Sequence, residues 1–183
     1  MAASGRSDRV VVLDFDGVIA KLDVDWASLR RAVRDRLGLD VRSINEAFRE
    51  LCGTPLFLAL HEFVEAYEVE SAARASVFPD VAHFLERWGG AVAIASMQSE
   101  RAIRLALSLS GLDKAFSEIA ARPRFCSKEA ELRHFAEKYG ADKIIFVDDR
   151  NDNVEVCRKV GIAGCVRLDR RRGDTLSTLL HNL

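Results

Sequence analysis

Apolar residues run unbroken through VVVL (10–13) and stop at DFDG (14–17). A run that short and that continuous predicts a strand buried on both faces. After Ile19 the rhythm turns helical for about sixty residues. Trp26, Leu29, Val33 and Leu37 recur at helical spacing, with Asp25 as the cap and Gly38 as the stop. Ser43 and Glu46 read as a capping box before a short helix that ends at Gly53. Thr54-Pro55 opens a third helix carrying Phe57, Leu60, Val64 and Tyr67. A short alanine-rich helix is expected before Pro79, which gives a block of three or four helices without strands.

From Asp80 the pattern alternates. Short apolar strands are predicted at 91–96, 117–121, 143–148 and 163–168, each separated from the next by a helical stretch that closes on a glycine or a turn. Continuous apolar strands between helices imply a parallel sheet covered on both faces. The expected fold is α/β: a Rossmann-like doubly wound parallel sheet from residues 1–19 and 80–183, with a small all-helical domain inserted at 20–79. Asp16-Gly17 is also a hairpin signal. Behind a central parallel strand it can start no more than a small flap.

Composition fits one soluble globular core: 49% apolar, 30% charged, net charge −1. No basic footprint suggests nucleic acid or an anionic membrane as partner. The dense basic run Arg170-Arg171-Arg172 reads as a solvated turn. Cys52, Cys126, Cys157 and Cys165 lie far apart with no zinc-like spacing, so reduced thiols in a cytoplasmic protein are the simplest expectation. MAASGRSDR has no long apolar segment behind it, so neither signal peptide nor membrane span is expected.

The strand ends change the picture. Asp14 and Asp16 alternate onto the same side of an extended chain. At ~5 Å and an effective dielectric near 20 their repulsion is on the order of 3 kcal/mol, so something must offset it. In open α/β sheets ligands bind beyond the carboxyl ends of the strands. There the sequence places Asp14, Asp16, Ser96, and the pair Asp148-Asp149. Lys128 opens the helix after the third strand, against the helix dipole by about 0.3–1 kcal/mol. With six lysines against twenty-one arginines, that placement suggests a distant carboxylate partner. Carboxylates suit a hard cation such as Mg²⁺, and a carboxylate can attack phosphorus to give an aspartyl phosphate. A hydroxyl and an ammonium can hold the equatorial oxygens.

DFDG (14–17), Ser96 after AVAIA, Lys128, and DDRNDN (148–153) after KIIFV together resemble the haloacid dehalogenase-like superfamily, in its phosphatase branch. The resemblance covers nearly the whole chain, and the helical insertion looks like that family's cap. It implies Asp14 as nucleophile and Asp16 as acid and then base, whose backbone carbonyl also binds Mg²⁺. It implies Ser96 and Lys128 as phosphoryl contacts, Asp149 as the further metal ligand, and Asp148 as its direct or water-mediated partner. Where the family often has another aspartate, this chain has Asn153. Asp16 speaks against the dehalogenase branch, which needs no proton donor for a leaving halide. A phosphonate hydrolase would need a cap lysine, and Lys21 lies only at the edge of the insertion.

The expectation is therefore a phosphomonoester hydrolase for a small phosphorylated metabolite. A mutase of the same superfamily and a receiver-like phospho-accepting domain are the alternatives. In receiver domains the paired acids come first, whereas here they come last. A catalytically silent scaffold is a third reading, although every chemical role has a candidate residue. Asp25 reads as a helix cap, Trp26 as core of the insertion, and Cys126 as a packing residue. Arg30, Arg31 and Arg34 read as solvated charges. Arg122 and Arg124 are the better candidates for a second anionic contact.

Overall fold

A computed structural model describes residues 8–179. Val10–Leu13 form β1, with all four residues buried. β1 sits between β4 (Val92–Ser99) and β6 (Ile144–Asp148), with β5 (Ile119–Arg122) beyond β4 and β7 (Gly164–Arg167) beyond β6. Every pairing in this sheet is parallel, with Leu13 opposite Ile94 on one side and Val147 on the other. Alternation along β1 divides the core into two layers. Val11 and Leu13 pack toward α4 (Asp80–Trp88), α5 (Glu100–Leu109) and α8 (Leu176–Leu179). Val10 and Val12 pack toward α6 (Lys128–Tyr139) and α7 (Asn151–Val160). Each fully buried side chain of this kind, such as Leu13 or Phe146, contributes about 1.5–3 kcal/mol.

The helical block comprises α1 (Trp26–Leu37), α2 (Ile44–Glu50) and α3 (Pro55–Ala72). Its caps follow the sequence. The Asp25 carboxylate accepts from the Ser28 N–H at 2.9 Å, Gly38 stops α1 at φ 67°, and Pro55 opens α3 behind the Thr54 cap. Leu29, Val33, Phe48, Phe57, Leu60 and Val64 form their own apolar cluster, joined by Met97 of β4. At the base of the block β2 (Ala20–Lys21) pairs antiparallel with β3 (Ser76–Val77), a small flap across the two ends of a stretch read as all-helical, not a hairpin about Asp16-Gly17.

Four expectations change. The separate alanine-rich helix does not form, because α3 continues through Ser71 and Ala72, a good helix former, and Ser76-Val77 turn extended to close the flap. β4 runs on to Ser99, whose N–H donates to the Glu68 carboxylate at 2.9 Å. Arg170 is no solvated turn residue. It donates to Asp80 at 2.7 Å and to the Val18 carbonyl, and it stacks 4.2 Å from the Phe78 ring centroid. Finally, the cysteines are not free. Cys52 pairs with Cys126 and Cys157 with Cys165, so spacing along the chain was a poor guide to proximity in a sheet that folds distant segments together. The pairings withdraw the argument that reduced thiols made for the cytoplasm. The expected last helix begins as α8, and its continuation beyond position 179 lies outside the described residues, as does the start of the N-terminal segment. No helix among the described residues is long and apolar enough to cross a membrane.

Candidate active site

The switch between β4 and β6 on either side of β1 leaves a crevice at the carboxyl ends, and the polar strand ends meet there. Asp14 follows β1 directly, its N–H donating to the Val147 carbonyl at 2.9 Å. Asp148 ends β6 and Asp149 follows it. Asp14, Asp148 and Asp149 each present a carboxylate oxygen, and these oxygens lie within 4.8 Å of one another. Oxygens spread by up to that much can share a cation held at ~2.0–2.6 Å from each, so the three residues fit a hard divalent ion. The Asp16 side chain does something else. One of its oxygens accepts from the Leu22 N–H at 2.8 Å, and the side chain is not among the clustered acids.

Gly17 makes the crowding feasible. It adopts φ 85°, and a Cβ on it would stand 2.5 Å from an Asp149 carboxylate oxygen. A side chain here would displace Asp149, and an L-residue would also be strained.

Lys128 reaches the cluster as sequence reasoning expected. It is the first residue of α6, behind the Ser127 cap, and is buried. Its ammonium donates to Asp14 at 2.8 Å and to the Ala95 carbonyl, and lies 3.8 Å from Asp148. It also forms an ion pair at 3.1 Å with the carboxylate of fully buried Glu131, three residues on along α6. Burial opposes the Lys128 charge, but Asp14, Glu131 and Asp148 outweigh it and raise its pKa.

The acids move the other way. Burial pushes Asp16 up to about 7, aided by the charges of Asp14 and Asp149 against the Leu22 N–H. Burial also pushes Glu131 up to about 7, against the pull of Lys128. Asp148 and Asp149 are raised by burial and then by Asp14. A cluster of this kind asks for positive charge.

The remaining assignments divide. Ser96 is fully buried, and its hydroxyl donates to the Gln98 side chain at 2.9 Å. Met97 and Gln98 line the crevice, and Ser96 does not. Asn153 donates to Asp148 at 3.0 Å while the Arg150 N–H donates to the other oxygen at 2.9 Å, so Asn153 orients the neighbouring acid. Arg122 and Arg124 do not face the site. Arg122 is fully buried, pairs with Glu68, donates to the Met97 carbonyl and lies 4.0 Å from the Phe48 ring centroid. Arg124 is held by Glu118 at 3.1 Å. Trp26 and Arg30, read as core and as solvated charge, line a cavity of 410 Å³ with Asp14, Asp16, Lys128 and Asp149. Glu131 went unnoticed in the sequence. Its only signal was a position three residues after Lys128, on the same helix face.

No family model matches the chain, and no curated protein matches it. Solved structures do. A haloacid dehalogenase-like hydrolase from Bacteroides fragilis superposes with a TM-score of 0.63 at 18% identity, covering 91% of this chain and 93% of that one. A predicted phosphoglycolate phosphatase from Haemophilus somnus gives 0.62 at 20% identity, with 90% and 87% covered. A structure described as a dehalogenase gives 0.61 at 17% identity, with 100% and 99% covered. The parallel five-stranded sheet with its flanking helices is the fold of the haloacid dehalogenase-like hydrolases.

Proposed function

We propose that this chain is a Mg²⁺-dependent phosphomonoester hydrolase that works through an aspartyl phosphate on Asp14 and acts on a small phosphorylated metabolite. One observation carries the reading: Asp14 meets both the Lys128 ammonium and the paired acids Asp148-Asp149, and Asp14, Lys128 and Asp149 line one cavity. Neighbours described as phosphatases support it, and the presence of Asp16 favours them over the dehalogenase neighbour.

Asp14, Asp149 and Asp148, with the Asp16 carbonyl, would hold Mg²⁺. The ion would supply positive charge to the phosphoryl oxygens and offset the repulsion among the acids. A free oxygen of Asp14 attacks phosphorus while Lys128 holds the other oxygen and balances its charge. The phosphorus–ester oxygen bond breaks, and Asp16 gives its proton to the departing alkoxide. Its raised pKa suits that task, because a carboxyl protonated near neutrality can donate. Water then attacks phosphorus, Asp16 takes the water proton, and the bond to Asp14 breaks to release phosphate. Ser96 would join only by exchanging Gln98 for a phosphoryl oxygen. The helical block would act as the cap over residues 20–79 and select the substrate. The Mg²⁺-dependent release of p-nitrophenol from p-nitrophenyl phosphate, lost in Asp14→Asn, tests the reading. Wild-type protein that binds Mg²⁺ yet hydrolyses no phosphomonoester would overturn it.

A further inference from the structure

The cavity has two electrostatic halves. On the floor, three acids and Lys128 are matched to one phosphoryl group and its cation. On the wall, Arg30 and Arg42 come from the helical block. Arg30 lies one turn after Trp26 on α1, so the ring and the guanidinium share a helix face, and both are half-buried. Arg42 stands beside the Ser43 cap of α2. Neither arginine has an ion-pair or hydrogen-bond partner among the described residues. Their neighbours are committed: Arg31 donates to Ser28, Arg34 pairs with Asp35, and Arg150 grips Asp152 through two nitrogens.

We infer that Arg30 and Arg42 form a subsite for a second anionic group. On the phosphatase reading above, the substrate is then a phosphomonoester whose alcohol part carries a carboxylate or another phosphate. Three features argue for it. The planar guanidinium fork binds both oxyanions through paired hydrogen bonds. Two uncommitted cations facing one cavity repel each other and gain from an anion between them. A volume of 410 Å³ holds a small molecule spanning floor to wall. Neutral sugar or alkyl phosphates would leave both arginines without a partner.

The test is calorimetric binding to the full-length Asp14→Asn protein with Mg²⁺, which removes turnover. The probes are ethyl phosphate, carboxymethyl phosphate, 2-carboxyethyl phosphate and propane-1,3-diyl bisphosphate. At least one two-anion probe binds ten-fold or more tighter than ethyl phosphate, and the carboxylate and bisphosphate arms identify which anion fits. That advantage falls toward one when Arg30→Ala or Arg42→Ala is added, and is unchanged by Arg31→Ala. Because Arg42 is exposed, Arg42→Glu folds and turns the preference against the second anion. No advantage for any two-anion probe, or one that survives both alanine variants, overturns the subsite. An arginine-dependent advantage in a wild-type protein that hydrolyses neither the probes nor p-nitrophenyl phosphate would leave the subsite standing and sink the phosphatase reading instead.

Discussion

The Lys128 ammonium lies 2.8 Å from an Asp14 oxygen, across 114 positions of sequence. It is also the counter-charge for buried Glu131 and Asp148. Breaking a buried pair by removing one partner costs about 3–5 kcal/mol, because the other charge is left uncompensated. Lys128→Met should therefore lose stability on that order in denaturant unfolding without added metal. Adding Glu131→Gln removes one stranded carboxylate and should restore about 1 kcal/mol or more. Strictly additive losses in the cycle would show that Glu131 and Lys128 do not act on each other.

Gly17 and Asp149 give a more local prediction. Gly17→Ala places a methyl group where the Asp149 carboxylate stands and holds alanine at φ 85°. The backbone penalty is about 1–2 kcal/mol. The larger effect falls on the cation, whose affinity should drop at least about ten-fold as Asp149 leaves the cluster. The thermal shift on Mg²⁺ titration reads this directly. A variant with lowered melting temperature and unchanged Mg²⁺ response would mean that Asp149 is no ligand.

The raised acids set a pH dependence with a definite sign. Asp16 and Glu131 ionise at about 7 in the folded chain against 3.8 and 4.5 ordinarily, and Asp148 and Asp149 are raised as well. Between the ordinary values and about 7 the folded state holds more protons than the unfolded one. Stability without metal should then fall as pH rises through that window. For Glu131 alone the span from 4.5 to about 7 corresponds to on the order of 3 kcal/mol. Mg²⁺ needs the ionised ligands, so its stabilisation should grow over the same interval. The difference in melting temperature with and without Mg²⁺ should be larger at pH 8 than at pH 5, and the reverse order would contradict the assignment of the cluster.

What was legible in the sequence follows from what local pattern encodes. The buried strand at 10–13, the caps at Asp25 and Thr54 and the stop at Gly38 depend on neighbours in the chain, and all appear as read. The convergence of Asp14, Lys128, Asp148 and Asp149 was legible because parallel strands deliver their carboxyl ends to one edge. Contacts made in three dimensions were not. Arg122 was sought in the site, yet it turns inward to Glu68, which sits 54 positions away on α3. Cys52 meets Cys126 across a separation of 74. Arg30 looked like any exposed helix arginine, yet the fold makes it line the same cavity as Asp14.

Arg122 and Glu68 supply the last prediction, because they join the helical block to the sheet at one buried point. Glu68 takes the Arg122 guanidinium and the Ser99 N–H, while Arg122 also donates to the Met97 carbonyl. Both residues are about fully buried, and burial pushes the Glu68 carboxyl up even against the pull of Arg122. Desolvating two ions costs several kcal/mol each, so the pair stabilises the fold only while it is intact. Glu68→Ala should therefore cost about 3–5 kcal/mol in unfolding free energy, whereas the apolar double replacement Glu68→Met with Arg122→Met should cost markedly less. The pair would then serve to fix position rather than to add stability, by holding the Met97 carbonyl next to Ser96 and α3 against β4. In that case the double variant, though well folded, should lose turnover through kcat. Full turnover in a stable double variant would reduce the pair to packing.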